Sequence, residues 1–179
     1  FAWAFPLKDE VNIGVGTFIG KDSKSSDQVL EKLLPNLGFQ PTEGVRKKSF
    51  LRVWNGHSNL HNDGIVVIGD AASLCDPFLA EGLRPALMSG REAAFALNLW
   101  LDGKNNTLDS YTNNMKLEWG NSMAWGRRIS QVFYRFPKIG YNLGIKRRTA
   151  PERIAQILSG KMSYGDIAHR VIKRLLFER

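Results

Sequence analysis

Gly64-Ile65-Val66-Val67-Ile68-Gly69-Asp70-Ala71-Ala72 continues through Ser73-Leu74-Cys75-Asp76-Pro77-Phe78-Leu79-Ala80-Glu81-Gly82 into Leu83-Arg84-Pro85-Ala86, and this stretch decides how the rest of the chain is read. Four consecutive β-branched residues between glycines predict a short strand buried on both faces. Such a strand delivers the Asp70 carboxylate at its end, and Ala71 and Ala72 leave room for a close approach. The loop then opens a helix from Leu83 whose first N–H groups have no intrahelical partner. Helical spacing runs to Leu101, with Ala86, Gly90, Ala93, Ala94 and Leu97 as a small-residue face suited to lying close on a sheet, and Gly103 closes it. The unit suits a polar cofactor. Asp70 can accept hydrogen bonds from sugar-type hydroxyls, Gly82 admits a planar ring, and the helix start at Leu83 favours an anion.

Upstream, residues 1–7 and 11–19 are β-rich and nearly alternating, which predicts a hairpin carrying Trp3. A helix is expected from about Gln28 to Asn36, with Gly38 past its end, then a strand over 45–54 and a polar loop over 55–63. Downstream of Gly103 the pattern is helical only. One long helix is expected from Thr107 or Asp109 to Phe136, stopped by Pro137; a second runs from Pro151 to Leu158, and a third opens at Ser163-Tyr164-Gly165-Asp166 with capping-box spacing. This last helix carries the apolar stripe Ile167, Val171, Ile172, Leu175 and Leu176 beside Arg170, Lys173 and Arg174.

The composition is that of a globular chain: 179 residues, 43% hydrophobic and 23% charged. No apolar run approaches a membrane span, and a single Cys75 excludes an internal disulfide and a multi-cysteine metal site. Residues 1–122 hold 12 Lys/Arg against 14 Asp/Glu, whereas residues 123–179 hold 13 against 3, so the whole net charge of +8 comes from the last third. Such a block suits an anionic partner or a solvated helix face. No nucleic-acid motif accompanies it, and no nucleic acid is expected. His57 and His61 are four apart but lie in an asparagine-rich loop with no completing ligand, so no metal site is expected.

Gly69-Asp70-Ala71-Ala72, with Pro77, Glu81-Gly82 and Ala86 at these spacings, resembles the second flavin-contact motif of FAD-dependent oxidoreductases of the para-hydroxybenzoate hydroxylase fold. Within that fold Phe1-Ala2-Trp3-Ala4-Phe5-Pro6 is similar to the Tyr-x-Trp-x-Phe-Pro signature of geranylgeranyl reductases, with Phe1 in place of Tyr. The segments Phe133-Tyr134-Arg135-Phe136-Pro137 and Ser159-Gly160-Lys161-Met162-Ser163-Tyr164 resemble the C-terminal region of the same family. The resemblance implies bound FAD, an external electron donor of the NADPH or ferredoxin type, and delivery of hydride equivalents to C=C bonds of a prenyl lipid. It also implies roles: Asp70 at the flavin ribityl hydroxyls, with Gly69 and Ala71 beside it in the cofactor site, Pro77 in the loop over the isoalloxazine, Gly82 and Leu83 offering backbone N–H to its N1/O2 edge, and Phe1, Trp3 and Phe5 facing the prenyl pocket. Ala80 stands where the family pattern has Gly. No Gly-x-Gly-x-x-Gly strand–helix unit is present, since Gly14-x-Gly16-x-x-x-Gly20 has the wrong spacing.

The expected fold is therefore α+β: the C-terminal part of a para-hydroxybenzoate hydroxylase-like flavoprotein, mostly antiparallel sheet with helices, followed by an all-helical region. The expected divisions are a β-rich substrate-binding segment over 1–63, the flavin-contacting strand–loop–helix over 64–103, and a basic helical region over 104–179. A chain beginning at Phe1 with half a flavin site reads as a fragment whose ADP-binding half lies upstream. Expected partners are a prenyl or other lipid substrate and an anionic membrane surface, and the expected location is cytoplasmic with a peripheral membrane position open. A flavin hydroxylase or halogenase of the same fold, and a non-catalytic basic membrane- or protein-binding module, are the competing functions.

Overall fold

A computed structural model describes residues 1–17, 23–62 and 64–177, with the side chains of 23–25, 143, 171, 172 and 174–177 outside the description. Two compact units divide at Ser49/Phe50.

The first unit, Phe1–Ser49, pairs β1 (Ala2–Pro6) antiparallel with β2 (Val11–Val15), as the alternating pattern predicts. The rest of the predicted second run, Phe18 and Ile19, lies outside the described residues. Helix α1 (Ser23–Asn36) begins earlier than expected and closes where expected, with Phe39 N–H donating to the Leu34 carbonyl. The strand expected over 45–54 does not form. Lys48 pairs with Asp27 at 2.6 Å and Arg46 lies 3.7 Å from Glu31, tying the segment to α1, and Val45 and Phe50 are solvent-exposed. A strand needs a neighbour to take its N–H and C=O groups. Here there is only a single bridge, Val53 to Cys75, with Trp54 N–H donating to the Cys75 carbonyl.

The second unit, Phe50–Arg179, is built mainly of helices. Among the described residues helix predominates, amounting to about 53% of the chain, and the two antiparallel sheets have two strands each. The run 64–68 is a further correction. Only Ile65–Val66 (β4) pairs, with His61–Asn62 (β3), and Ile65, Val67 and Ile68 are exposed. Its remaining backbone groups are met from elsewhere: Val67 N–H donates to the Leu60 carbonyl, and Tyr111 Oη donates to the Val67 carbonyl at 2.7 Å.

Helix α2 (Leu83–Leu101) has the predicted bounds, and Gly103 follows it with φ +68°. Its small-residue side does not lie on a broad sheet. Pro85, Ser89, Ala93 and Ala96 are buried where α2 meets α3 (Asp109–Met115) and the 3-10 turn Gly69–Ala72. The helix expected to run to Phe136 is α3, a π turn Lys116–Gly120 and α4 (Asn121–Arg135), continuous in path. Pro137 stops α4 and, as a first-turn residue that needs no N–H partner, starts α5 (Pro137–Gly140). A π turn Tyr141–Ile145 follows, then α6 (Ala150–Leu158) and α7 (Tyr164–Phe177). Ser163 and Asp166 cap α7 reciprocally: Asp166 N–H donates to Ser163 Oγ at 3.2 Å, and Ser163 N–H donates to Asp166 Oδ2 at 2.8 Å. The core collects Trp54, Leu60, Leu74, Tyr111, Met115, Trp119, Met123, Ile157 and Tyr164 around α2. No helix among the described residues is long and apolar enough to cross a membrane.

Candidate functional site

The site grows from the turn after β4. Gly69 takes φ +54°, a left-handed conformation that L residues disfavour, and its Cα approaches Ala86 so closely that an added Cβ would lie 3.2 Å from the Ala86 Cβ. Its N–H donates to Ser89 Oγ at 2.9 Å, and Ser89 is fully buried. The turn is thereby fixed to the first two turns of α2. Asp70 follows, exposed, with its carboxylate in no hydrogen bond or ion pair among the described residues. It faces Gly82: a Cβ there would sit 3.0 Å from Asp70 Oδ1.

Between these two points lies a loop held by its own acid. Asp76 Oδ1 accepts the N–H of Phe78 at 2.6 Å and of Leu79 at 2.9 Å, the geometry of an Asp that caps a turn begun by proline. Asp76 N–H closes the loop on the Glu81 carbonyl at 2.8 Å. The turn ends at Ala80, whose φ of +56° is the conformation that a glycine in the family pattern would adopt without strain. From α7, 88 positions away, Tyr164 Oη donates to Asp76 Oδ2 at 2.7 Å. The Tyr164 ring seats on Gly126 of α4, where a Cβ would come within 2.7 Å. Tyr134 Oη donates to the Phe78 carbonyl at 3.0 Å, and Phe78 is edge-packed by Phe133 and Tyr164. The two C-terminal segments that resemble the reductase tail thus contribute Phe133, Tyr134 and Tyr164 to the loop.

Electrostatics follow from burial. Asp76 is 2% exposed, and desolvation raises its carboxyl above the ordinary value against the opposing bonds from Leu79, Tyr164 and Phe78. Tyr164 is pushed up by burial and by the Asp76 charge, so it remains a donor. Burial, then the charges of Asp70, Asp76 and Glu81, push the Cys75 thiol up to about 12, which makes it a small packing group rather than a nucleophile.

At the start of α2, Glu81 Oε1 accepts the Arg84 N–H at 2.7 Å, so that donor is already occupied. The N–H groups of Gly82 and Leu83 have no partner among the described residues, and Leu83 is exposed. Of the sequence-chosen residues, Gly69, Asp70, Ala71, Gly82 and Leu83 gather at this junction, with Ala71 exposed. Pro77 is buried in the loop beneath. Phe1, Trp3 and Phe5 belong to the other unit, on one face of the β1–β2 hairpin. Trp3 packs on Gly14 and donates from Nε1 to Asn12 Oδ1 at 2.8 Å, its ring stacks on Phe1, and Phe1 and Phe5 are mostly exposed. Asp76, Ser89 and Tyr164 carry no role in the sequence patterns. The Asp76-Pro77 pair is the one signal that could mark Asp76, as a turn-capping acid.

A separate open cavity of about 350 Å³ is bounded by β3, Trp100 and the start of α3. Its polar groups are mutually engaged: His61 Nδ1 meets Thr112 Oγ1 at 2.9 Å, His61 Nε2 lies 3.3 Å from Asp109 Oδ1, and Thr112 Oγ1 donates to Asn59 Oδ1 at 3.0 Å. His57 instead packs edge-on against Trp54 and over Gly120.

Comparison with known proteins finds distant relatives, among them the following two. The chain is 29% identical over 104 residues to conditioned medium factor receptor 1 of Dictyostelium discoideum, covering 56% of this chain and 20% of that protein. It is 29% identical over 119 residues to the digeranylgeranylglycerophospholipid reductase of Methanococcus vannielii, covering 59% of this chain and 28% of that protein. The chain therefore matches under a third of the length of either relative. No family model and no solved structure matches.

Proposed function

We propose that this chain is part of an FAD-dependent reductase of the para-hydroxybenzoate hydroxylase fold that saturates C=C bonds in a geranylgeranyl or related prenyl lipid. The observation that carries it is the juxtaposition of an unpartnered Asp70 carboxylate with Gly82 at the open N-terminus of α2. The similarity to a prenyl-phospholipid reductase supports the same class. The residues present fit the cofactor. Asp70 has free acceptor positions for ribityl hydroxyls, Gly82 presents no side chain to a planar ring, and Gly82 and Leu83 hold two unpaired N–H donors where the α2 dipole is positive. When bound, FAD supplies the hydride equivalents, drawn from an external donor of the NADPH or ferredoxin type.

The chain's own part is preorganisation. The Gly82 and Leu83 N–H groups are fixed by α2 before any ligand arrives, so they would stabilise negative charge on a bound flavin without reorganising. Asp76 and Tyr164 hold the loop that sets the distance between Asp70 and Gly82. The exposed rings of Phe1 and Phe5, with Trp3 beside them, offer an apolar surface suited to a prenyl chain.

The test is flavin binding by the complete gene product. The expected result is a flavin absorbance band, with Asp70→Ala weakening FAD by about 1.5–3 kcal/mol, roughly 10- to 100-fold, through loss of charge-assisted hydrogen bonds. An unchanged FAD affinity in that variant refutes the assignment of Asp70. Substrate oxygenation without C=C saturation would move the protein to the hydroxylase branch.

A further inference from the structure

We propose that the surface formed by the end of α4, α5 and the following π turn docks on an anionic phospholipid bilayer. The stretch 119–151 carries seven cations and no Asp or Glu. All seven are exposed, and none forms an ion pair among the described residues. Arg127 donates to the Asn55 carbonyl and Arg128 lies 4.8 Å over Trp125. Arg135, Lys138, Lys146, Arg147 and Arg148 are left with their charge uncompensated. Between these cations stand Val132 at 64% exposure, Phe136 at 55%, Ile139 at 57% and Tyr141 at 54%, with Ile145 partly open.

Large apolar side chains are held outward here by structure. Phe136 breaks α4 with φ −127°, Pro137 restarts the chain as α5, and α5 returns over α4 with Gly140 against the Phe133 ring. Phe133 is the member of this group that turns inward, to Phe78. An apolar tip flanked by cations matches the layering of a bilayer interface, where apolar groups enter the acyl boundary and Lys and Arg meet the headgroups. A nucleic acid would use the cations and stack on Phe136 and Tyr141, but it would gain nothing from exposed Val132 or Ile139. The stripe on α7 is a weaker candidate. Ile167 packs against the core, and the side chains of Val171, Ile172, Arg174, Leu175 and Leu176 lie outside the described residues.

The experiment is co-sedimentation of the chain with large unilamellar vesicles, either phosphatidylcholine alone or an equal mixture with phosphatidylglycerol. The expected result is sedimentation with the anionic vesicles only, reversed by salt. The triple variant K138A/R147A/R148A should partition about a hundredfold more weakly, at about fivefold per cation. Ile139→Ser combined with Tyr141→Ser keeps every charge and should lose about tenfold. Both variants alter only exposed side chains, and unchanged circular dichroism and melting verify the fold. Four outcomes overturn the proposal: no sedimentation at low salt, equal binding to neutral vesicles, a triple variant that binds as wild type, or a serine pair that binds as wild type. The last, with equally tight binding of a single-stranded oligonucleotide, would make the surface a general polyanion site.

Discussion

Tyr164→Phe removes one oxygen and no ring, so it isolates the bond that joins α7 to the loop of the candidate site. Tyr164 is fully buried and its Oη lies 2.7 Å from Asp76 Oδ2, itself in a residue 2% exposed, so water cannot replace the lost donor. A hydrogen bond to a charged group contributes about 1.5–3 kcal/mol, and the orphaned oxygen keeps its desolvation cost. At about 3 °C per kcal/mol for a unit of this size, Tm should fall by roughly 5–9 °C. Asp76→Asn retains an oxygen for the Phe78 and Leu79 N–H groups and removes the buried charge, so the Tyr164 hydroxyl has less to stabilise. A double-mutant cycle by urea denaturation should then give a coupling of about 1–2 kcal/mol between the two sites. A Tm within about 1 °C of wild type for Tyr164→Phe, or a coupling near zero, would refute the loop lock.

Ala80→Gly should raise stability by about 0.5–1 kcal/mol, because the strain of a left-handed Ala exceeds the extra chain entropy of Gly; a lower Tm would contradict it. Burial raises the folded-state carboxyl of Asp76, so its contribution is greatest below the unfolded value of about 3.9 and is lost as pH rises through the folded one. Denaturation at stepped pH should therefore show wild type losing ground to Asp76→Asn as pH rises above the unfolded value, and a gain in that direction would reverse the sign. Trp3→Ala should loosen the β1–β2 hairpin by about 1–2 kcal/mol, since Trp3 covers Gly14 and bonds Asn12, whereas Phe5→Ala should change stability by less than about 0.5 kcal/mol. Under the proposed reductase function, lower prenyl turnover in Phe5→Ala at unchanged stability would mark a substrate contact, and unchanged turnover would leave Phe5 a surface residue.

Local chemistry was legible wherever a short pattern satisfies its own backbone. The bounds of α2, the turn after it at Gly103, the Ser163–Asp166 cap and the β1–β2 pairing are such cases. The approach of Asp70 to Gly82 was also foreseeable, because both belong to one strand–loop–helix stretch. Strand composition misleads where no neighbouring strand takes the backbone groups. The run 64–68 has a buried strand's composition yet lies largely exposed, and 45–54 is held by ion pairs instead of a ladder. A strand's burial and pairing depend on what stands beside it, which no window of sequence contains.

The sequence by itself determined the bounds of α2, the helical character of the stretches that became α3–α4, α6 and α7, the cap of α7, the charge asymmetry and the order of carboxylate, loop and helix start, because each is written in a short window of residues. Only the tertiary structure decided that Tyr164, 88 positions from Asp76, supplies its buried partner, that Phe133 and Tyr134 wall the same loop, and that Val132, Phe136, Ile139 and Tyr141 point to solvent among cations. The reason is physical: a desolvated carboxylate must find donors, and which distant side chain provides one is fixed by the packing of α4 and α7, not by any local preference of the chain.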